Sequence, residues 1–476
     1  MIWLALFASS ALADTWSVPG DCPTLTEAAA NAAPGDTILL SEGIYGAETE
    51  TFPIVIDRPL TIAGQELTVL ESPRFATLLQ ITADDVTVSG LTFHVRKWGI
   101  VAAQSSRMTI ENCSFALAEE ACRTSSTAIW MEGMKHCTLK NCVFQGVGVC
   151  VAGDPLNENS AGKPVLTGLC EVGEDPEYFT THTIEGCTIN GKPYYYIPGG
   201  ENVIVSEDAG GLIAAYCDGI TVRNADVSDS SMGLEIVHSK NVTLDHVVAD
   251  RCGIFGTYVA CCEGGTYDHV QVHFTNHGID TRASSGILLK NCLAEDCDQG
   301  IFFSLCTDCA IEDCAIRRSG FAYFAAVGTG NFIRRCVFED NADGIYLQNE
   351  NTTTIENCQI TGSTVVGLRV LKSSCICADT VIRSGWTGAI LYDAKDTVLR
   401  DCLFDGSASA NLYLNNLQNV EITQCSFAGE TKAHLEMAGT FENVGILQCR
   451  FTGDEEAMVR ADGESLPEMA ENSWNP

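Results

Sequence analysis

Basic residues are scarce in this chain: 27 Lys and Arg stand against 62 Asp and Glu among 476 residues, a formal net charge of −35. Nucleic acids are bound by clustered Lys and Arg, so this balance argues against a nucleic-acid partner. The acidic balance also argues against a polyanionic glycan as a partner, unless a cation such as calcium bridges the protein and the glycan. We expect no cofactor other than such a calcium ion. With 13 prolines and 43 glycines, the composition excludes collagen-like and linker-dominated chains. No later apolar run is long enough to span a bilayer, so we expect no transmembrane segment.

The chain begins with a short apolar run, from Met1 to Ala8, followed by an Ala-Leu-Ala sequence that ends at Ala13. This pattern predicts a signal peptide over residues 1–13, and therefore a secreted, cell-surface or periplasmic protein. The alternative is an ordinary buried strand or helix. A secreted chain with 24 cysteines would normally be rich in disulfides, but the cysteine spacing favours a different interpretation.

The cysteines mark a repeat of about 22 residues. Each period also contains a glycine followed by alternating apolar residues, which is typical of a strand. Several short strands per period, without a helical stripe, predict an all-β fold, a parallel β-helix with about 22 residues per coil. A leucine-rich repeat would need a frame of leucines, and a propeller blade about twice the period. In the regular part the repeating position is occupied by Cys292, Cys314, Cys336, Cys358, Thr380, Cys402, Cys425 and Cys449.

These cysteines are expected to form a column inside the solenoid. Coils stack at about 4.8 Å, which suits the Cα separation of a disulfide, but parallel side chains keep the Cβ atoms slightly too far apart. We therefore expect most of them to be buried free thiols. The position before the cysteine should form a bend; its occupants are Asn112, Asn141, Asn224, His246, His269, Asn291, Asp313, Asn357, Asp379 and Asp401.

The repeats resemble right-handed parallel β-helix proteins of the pectate-lyase-like group, and within it the NosD-type or CASH (carbohydrate-binding and sugar-hydrolase) repeats. Residues 23–45 are similar to the helix-then-strand N-terminal cap of such solenoids, and residues 190–211 to an insertion between coils of NosD-type proteins. The resemblance implies a single-stranded right-handed parallel β-helix with an N-terminal cap. It does not select a chemistry, because this fold hosts lyases, hydrolases, epimerases and plain binding proteins.

These patterns predict the organisation of the mature chain. Residues 14–80 form the N-terminal cap and first coils, and residues 81–452 form the right-handed parallel β-helix. Two loop insertions interrupt it, at 153–181 and 190–211. Residues 453–476 are an acidic tail, for which the sequence leaves open a cap or disorder.

The outward position of the strand that follows the glycine is unusually aromatic for a solvated sheet face. The row of outward side chains begins at Trp130 and includes Leu391 near its end. Exposed rings can contact sugars, so we predict that this face binds a neutral or weakly charged polysaccharide or surface glycan. The alternative is that the 153–181 loop or a partner chain covers the rings. The predicted substrate-binding residues are Phe255, Phe302, Phe324, Tyr346, Arg369 and Tyr413.

The same row contains two carboxylates, Glu235 and Asp280, two coils apart. At the strand spacing, their carboxyl groups would approach the separation used by inverting glycosidases. Arg282 would keep one carboxylate ionised, and Phe255, between them, would raise the pKa of the other. His277 begins a stretch that resembles the His-Gly-Ile of polygalacturonases, although the Asn-Thr-Asp and Arg-Ile-Lys motifs of that family are missing. The predicted catalytic residues are Glu235, Asp280, Arg282 and His277.

No metal site is predicted. His246 and His269 share a column one coil apart, close enough to share a metal or to titrate as a pair, and the alternative is an inert bend ladder. Cys306 and Cys309 have the spacing of a soft-metal pair but lack a second pair at a suitable spacing. Lyases of this group need Arg or Lys as a base, and the outward strand positions contain no row of basic residues. Mannuronan epimerases of this group carry an Asp-Pro-His-Asp motif, which is missing from this sequence.

We therefore predict a secreted or surface β-helix protein that binds a glycan along an exposed parallel sheet. The first alternative is a polysaccharide-active enzyme, a glycoside hydrolase before a lyase, that uses Glu235 and Asp280. The second alternative is a structural surface protein or a NosD-like periplasmic, metal-related accessory protein.

Overall fold

The computed structural model describes residues 13–65, 67–72, 75–118, 126–153, 173, 175–453, 459–463 and 466–475. Strands make up 60% of the structure and helices 3%, and the strands form a β-solenoid of about 19 turns with about 22 residues per coil. The prediction of an all-β parallel solenoid is confirmed. The chain divides into two compact units, of which the first extends to Gly191 and the second begins at Lys192. The predicted signal peptide, apart from Ala13, and most of the predicted 153–181 loop lie outside the described residues.

The predicted helix follows the first strand of the first unit, Thr15–Val18. Helix α1, Leu25–Asn31, begins after Thr24, whose side-chain oxygen accepts a hydrogen bond from the Glu27 amide. The helix contacts strands on both sides of it in sequence, and Asp36 accepts hydrogen bonds from the Asp14 and Ala33 amides. The helix-then-strand order expected for the cap is confirmed. A second helix, α2, spans Glu177–Thr180.

Three parallel sheets make up the first unit. In the largest sheet all seven strands begin with threonine, and the seven threonines are register partners, consistent with the preference of β-branched residues for a pleated surface. The first sheet contains Thr15–Val18, Thr37–Leu40, Thr61–Gly64, Thr87–Ser89, Thr109–Glu111, Thr138–Lys140 and Thr183–Glu185. The second sheet contains Gly43–Tyr45, Thr68–Glu71, Thr92–Val95, Ser114–Leu117, Val143–Gln145 and Thr188–Ile189. The third sheet contains Ile54–Ile56, Thr77–Ile81, Trp98–Ala103, Thr127–Glu132 and Val149–Ala152.

The second unit also has three parallel sheets. The front sheet contains Lys192–Ile197, Gly211–Ala215, Met232–Val237, Phe255–Ala260, His277–Arg282, Gln299–Ser304, Phe321–Ala326, Asp343–Gln348, Val366–Leu371, Thr387–Tyr392 and Val459–Gly463. The second sheet contains Gly200–Val205, Cys217–Arg223, Lys240–Asp245, Glu263–Asp268, Ser285–Lys290, Ala310–Glu312, Phe332–Arg334, Thr353–Glu356, Cys375–Ala378, Lys395–Arg400 and Glu468–Ala470. The third sheet contains Gln271–His273, Leu293–Glu295, Ala315–Arg317, Val337–Glu339, Gln359–Ser363, Val381–Ser384, Leu403–Asp405, Ser426–Ala428, Arg450–Thr452 and Ser473–Asn475. Two long strands, Ala410–Thr423 and Ala433–Leu447, continue from the front sheet into the second.

Residues 190–211, predicted as an insertion, instead contribute two strands to the stack. Lys192–Ile197 pairs in parallel with Gly211–Ala215, and Gly200–Val205 with Cys217–Arg223. The Asn-Gly and Pro-Gly-Gly sequences form the turns at the ends of Lys192–Ile197, where Gly199 and Gly200 have φ of 122° and 137°.

The described part of the acidic tail forms a further turn. Val459–Gly463, Glu468–Ala470 and Ser473–Asn475 each pair in parallel with the preceding turn. Trp474 stacks on Phe451 with ring centroids 4.3 Å apart.

The interior of the second unit is a set of stacked side chains. Rings of Phe404, Phe427 and Phe451 stack at 5.1 and 4.9 Å, and the repeating cysteines form the expected inner column. Every cysteine among the described residues is a free thiol, and all except Cys261 are buried. Their thiols donate to backbone carbonyls, so the cysteines act as small core residues, as predicted.

The predicted bend column is confirmed by the backbone. All of its members have φ between 50° and 56°, the left-handed region that Asn, Asp and His tolerate better than other side chains. The Asn141 amide donates to the Asn112 side chain of the turn before, at 3.3 Å. Within the described part of the chain, no helix is both long and apolar enough to cross a membrane.

Candidate functional site

The outward side chains in the middle of the front sheet form one continuous row, which we call the outer row. Backbone register places its members opposite one another from turn to turn. The row is Glu235, Tyr258, Asp280, Phe302, Phe324, Tyr346, Arg369, Ile390 and Tyr413. Seven of the positions expected from the sequence are therefore in the row.

Phe255 is not in the outer row, and Tyr258 takes its place. Phe255 begins its strand and pairs with Met232 and His277. Two glycines of this segment, Gly253 and Gly256, could each mark the start of the alternating strand. The structure uses the second, because a Cβ on Gly256 would lie 2.7 Å from the carbonyl oxygen of Gly278. The prediction that placed Phe255 between the two carboxylates was wrong because it used the first glycine.

Leu391 is likewise replaced by Ile390. The turn from Arg369 to its partner Ile390 is shorter than the usual repeat, which moves Leu391 into the core, where it is fully buried. A fixed step of about 22 residues cannot detect such a local shortening.

The outer row has a buried part and a half-exposed part. Glu235 and Asp280 are both 0% exposed, and Tyr258 between them is buried too. Phe302, Phe324, Tyr346, Arg369 and Tyr413 are each half-buried. The two predicted catalytic carboxylates therefore lie two strands apart in the buried part, and the predicted substrate-binding residues, except Phe255, in the half-exposed part.

Asp280 is held by two neighbours on its own strand. Arg282 donates from Nε to Oδ1 at 2.8 Å and from Nη2 to Oδ2 at 2.9 Å, and His277 Nδ1 lies 2.9 Å from Oδ2. Burial alone would raise the pKa of Asp280, but the charge of Arg282 and the hydrogen bonds from His277 and Arg282 keep it below its ordinary value. An ionised Asp280 requires a proton on His277 Nδ1, which leaves Nε2 as the atom that can exchange a proton in neutral histidine.

Aromatic rings surround this charged group. The guanidinium carbon of Arg282 lies 5.4 Å from the ring centroids of Phe255 and Tyr258 and 5.2 Å from that of Phe302. The ring of His277 lies 5.0 Å from Phe255 and meets Phe302 edge-on at 5.8 Å. The geometry thus brings His277, Asp280 and Arg282 together as a compact charged cluster with aromatic walls.

Next to this cluster lies the part of the row that we call the aromatic strip, formed by Phe302, Phe324 and Tyr346. Its ring centroids are 5.2 and 4.8 Å apart, and Phe324 and Tyr346 are nearly parallel, at 13°. Phe302 and Phe324 are tilted by 55° to each other, and all three residues are half-buried. The strip ends at Arg369, whose guanidinium lies 5.3 Å from the Tyr346 centroid and is bonded to Asp343 at 3.0–3.2 Å.

Two exposed aromatics beside this face were not singled out from the sequence. Trp386 is 54% exposed, lies immediately before the strand that carries Ile390, and has Lys432 Nζ 5.6 Å from its ring. Tyr392, at the end of that strand, is also exposed. Trp386 could not be predicted from strand alternation because it lies in a turn. Tyr258 could have been predicted, because it lies two residues after Gly256, as most of the other outward residues lie two residues after a glycine.

The candidate metal residues do not converge. The imidazoles of His246 and His269 stack at 4.5 Å and 8°, and each Nδ1 bonds the aspartate before it, at 2.7 and 2.8 Å. Parallel rings direct their Nε2 atoms side by side rather than towards a common point. Within the described ranges, no group of three or more His, Cys, Asp or Glu side chains is arranged to hold a metal ion.

Comparison with protein families gives two matches. The model described as "Right handed beta helix region" matches residues 182–342 and 324–473. A model described as "Protein of unknown function (DUF1565)" matches residues 20–217. No curated protein matches the chain.

Several solved structures are similar to this chain at low identity. The A-module of the Azotobacter vinelandii mannuronan C-5 epimerase AlgE6 is 12% identical, with 95% of this chain and 93% of that chain covered and a TM-score of 0.28. The periplasmic alginate epimerase AlgG is 10% identical, with 94% and 87% covered and a TM-score of 0.26. PfbA, a surface adhesin of Streptococcus pneumoniae, is 11% identical, with 78% and 86% covered and a TM-score of 0.25. Scores this low carry no argument about ligand or activity.

Proposed function

This chain belongs to the family of right-handed β-helix proteins, and from that premise we propose that it is a secreted or surface protein whose second unit binds a neutral polysaccharide or surface glycan. The binding surface is the aromatic strip together with Arg369 and Tyr413. The observation that carries this proposal is the unbroken run of half-exposed rings on the outward face of the front sheet. A solvated sheet face normally carries polar side chains, and a contiguous apolar strip favours a binding surface.

The electrostatics of this face favour a neutral glycan. Arg369 in the outer row is paired with Asp343, and Arg282, at the next outward position beside the row, is paired with Asp280. The chain as a whole carries a formal net charge of −35. An acidic polymer would therefore approach a surface without surplus positive charge and would need a cation such as calcium as a bridge.

The contacts available to a sugar are half-buried aromatic rings with polar groups beside them. The next outward position on each strand carries Ser304, Ala326 and Gln348, which are half-buried and flank the strip. The C–H groups of a sugar ring can pack on the aromatic strip while its hydroxyl groups bond Ser304 and Gln348. Such a combination of apolar area and a few directed polar groups is typical of ligand sites.

A second candidate function is a polysaccharide-active enzyme. A glycosidase pair of Glu235 and Asp280 is disfavoured by their complete burial and because both oxygens of Asp280 already accept hydrogen bonds. The observation that favours an enzyme is instead the bond between His277 Nδ1 and Asp280, since a carboxylate that orients an imidazole prepares Nε2 for proton transfer. His277 would then act on a glycan bound along the adjacent strip.

The test is affinity electrophoresis of the purified chain in gels that contain neutral or acidic polysaccharides, with and without calcium. We expect retardation by at least one neutral glycan, and loss of that retardation in Phe324→Ala. Phe332→Ala is the matched control, because Phe332 is an exposed phenylalanine on the second sheet of the same unit. Equal retardation of Phe324→Ala and wild type would exclude the strip as the binding surface.

Mass spectrometry of the same polysaccharides separates binding from catalysis. New oligosaccharides that disappear with His277→Ala, while retardation persists, would establish the enzymatic function. Products lost with Glu235→Gln but kept with His277→Ala would instead restore the carboxylate mechanism. Retardation without products would leave a binding protein.

A further inference from the structure

A polar cleft opens where four neighbouring strand segments of the front sheet end. Its volume is about 690 Å³, and its walls include Asn349, Lys372, Asp393, Asn416 and Lys395. It lies within the second unit and is formed entirely by described residues. None of the features discussed above accounts for it.

The cleft is continuous with the outer row. Four of its residues each lie three positions after a member of that row on the same strand or at its end. They are Asn349 after Tyr346, Lys372 after Arg369, Asp393 after Ile390, and Asn416 after Tyr413. A ligand that lies along Tyr346 and Tyr413 would therefore have this cleft at its side.

These four residues share one backbone conformation. Their φ angles are between 48° and 54°, and the amides of Asn349, Lys372 and Asp393 each donate to a carbonyl of the following turn. Asn416 Nδ2 donates to Asp393 Oδ1 at 3.1 Å, a bond of the ladder type. Lys372 occupies a position of this ladder although lysine is not among the side chains favoured at positive φ.

The two lysines of the cleft differ from most cations of this unit. Arg251, Arg318 and Arg335 are bonded to carboxylates of the preceding turn. Among the contacts of the described residues, neither Lys372 nor Lys395 has an ion pair or a side-chain hydrogen bond. Two lysines whose ammonium donors are unpaired within the described part of the chain thus line the cleft, in a chain that has more than twice as many acids as bases.

We infer that this cleft recognises the hydroxyl groups of the bound glycan, with Lys372, Lys395 and Asn349 as specificity-determining residues; the inference rests on the proposed function. A sugar hydroxyl both donates and accepts hydrogen bonds. The two ammonium groups supply donors, Asp393 and Asp396 supply acceptor oxygens, and the Asn349 amide supplies both. Because three carboxylate residues, Glu350, Asp393 and Asp396, line the same cleft, a simple anion is not favoured there, whereas a polyhydroxylated neutral sugar can use both kinds of group.

The experiment measures the affinity of the protein for soluble glucan, mannan and galactan, whose sugars differ in the orientation of hydroxyl groups. The order of the three affinities is the ranking that the variants are compared on. Lys372→Met and Lys395→Met keep the apolar stem and remove the donors. Each should weaken binding to the preferred glycan by about tenfold, the effect of one lost hydrogen bond to a charged group, and should reduce the difference among the three glycans. Lys140→Met, on an exposed lysine of the first unit, is the control.

The outcomes separate this inference from the proposed function. If Phe324→Ala abolishes binding while both lysine variants keep the affinity and ranking of the wild type, the aromatic strip stands and the cleft inference is overturned. If the wild type binds none of the neutral glycans, the proposed function fails, and the cleft inference fails with it. Weaker binding with an altered ranking in the lysine variants, but not in Lys140→Met, is the result that we expect.

Discussion

Arg282 and Asp280 form a double hydrogen bond on the outward face of the front sheet, with Nε 2.8 Å from Oδ1 and Nη2 2.9 Å from Oδ2. The carboxylate is 0% exposed and the arginine side chain 15%. Such a pair is not by itself a strong source of stability, because both charges lose their hydration. Removing one partner is costly, since the other charge then remains buried without compensation.

The first prediction concerns this pair. Asp280→Asn keeps the size of the side chain but leaves Arg282 without its carboxylate among the rings of Phe255, Tyr258 and Phe302. We expect a loss of about 3 kcal/mol in the free energy of unfolding, measured by urea denaturation followed by circular dichroism.

A surface pair of the same geometry supplies the control. Arg251 bonds both oxygens of Asp229, at 2.8 and 2.7 Å, but these two side chains are 43% and 36% exposed. Asp229→Asn should therefore cost less than about 1 kcal/mol. Equal losses in the two variants would show that burial of the Asp280 pair is not what makes it costly to break.

The second prediction is a pH dependence of the first unit. His182 Nδ1 accepts a hydrogen bond from the Cys137 amide at 3.2 Å, and Nε2 lies 2.7 Å from the Tyr178 carbonyl, to which it donates. Burial lowers the pKa of His182 to about 4. Between its ordinary pKa of about 6.5 and that value, the unfolded state binds a proton that the folded state does not, so stability falls as the pH falls through this window.

The full size of this effect is about 3 kcal/mol, and it should be visible when urea unfolding at about pH 7 is compared with unfolding at about pH 4.5. His182→Gln keeps one acceptor and one donor without the titration. Its stability should change less between the two pH values than that of the wild type. The same pH slope in both proteins would assign the dependence to other groups.

Most of the fold follows from the sequence because the repeat is local. The cysteine at each inner position and the Asn, Asp or His before it recur at a nearly constant step, and both columns lie where their chemistry requires, the thiols inside and the bend residues at positive φ. The insertion expected at residues 190–211 rested on resemblance, and the backbone pairing shows instead that this segment contributes two strands to the stack.

The candidate site could be predicted only in part. A repeat predicts which residues are neighbours on adjacent strands only while the number of residues per turn is constant. The prediction was therefore wrong at Phe255 and Leu391, where the number of residues per turn changes. Burial of Glu235 and Asp280 was not predictable, since alternation distinguishes inward from outward residues but not covered from exposed outward ones. Trp386 and Lys372 lie in turns, outside any strand pattern.

The third prediction tests the state of the cysteine column. Thiol reagents attack the thiolate, and burial raises the pKa of Cys252 and Cys262 to about 12. We expect Cys252 and the column residues Cys292 and Cys336 to resist alkylation in the native protein and to react fully in denaturant without reductant. Peptide mapping by mass spectrometry measures both. Disulfide-linked peptides from adjacent turns would contradict the free-thiol assignment.

The fourth prediction concerns a hydroxyl in the core of the second unit. Tyr323 is 0% exposed, and its OH has no hydrogen-bond partner among the described residues. A buried hydroxyl without a partner has lost its water and gained nothing in return, so Tyr323→Phe should stabilise the protein by about 1 kcal/mol. Tyr45→Phe is the matched substitution in the first unit, where the buried OH donates to the Val18 carbonyl at 2.9 Å. It should destabilise by about 1 kcal/mol. Urea unfolding measures both, and a destabilised Tyr323→Phe would mean that this hydroxyl has a partner, such as a bound water, inside the solenoid.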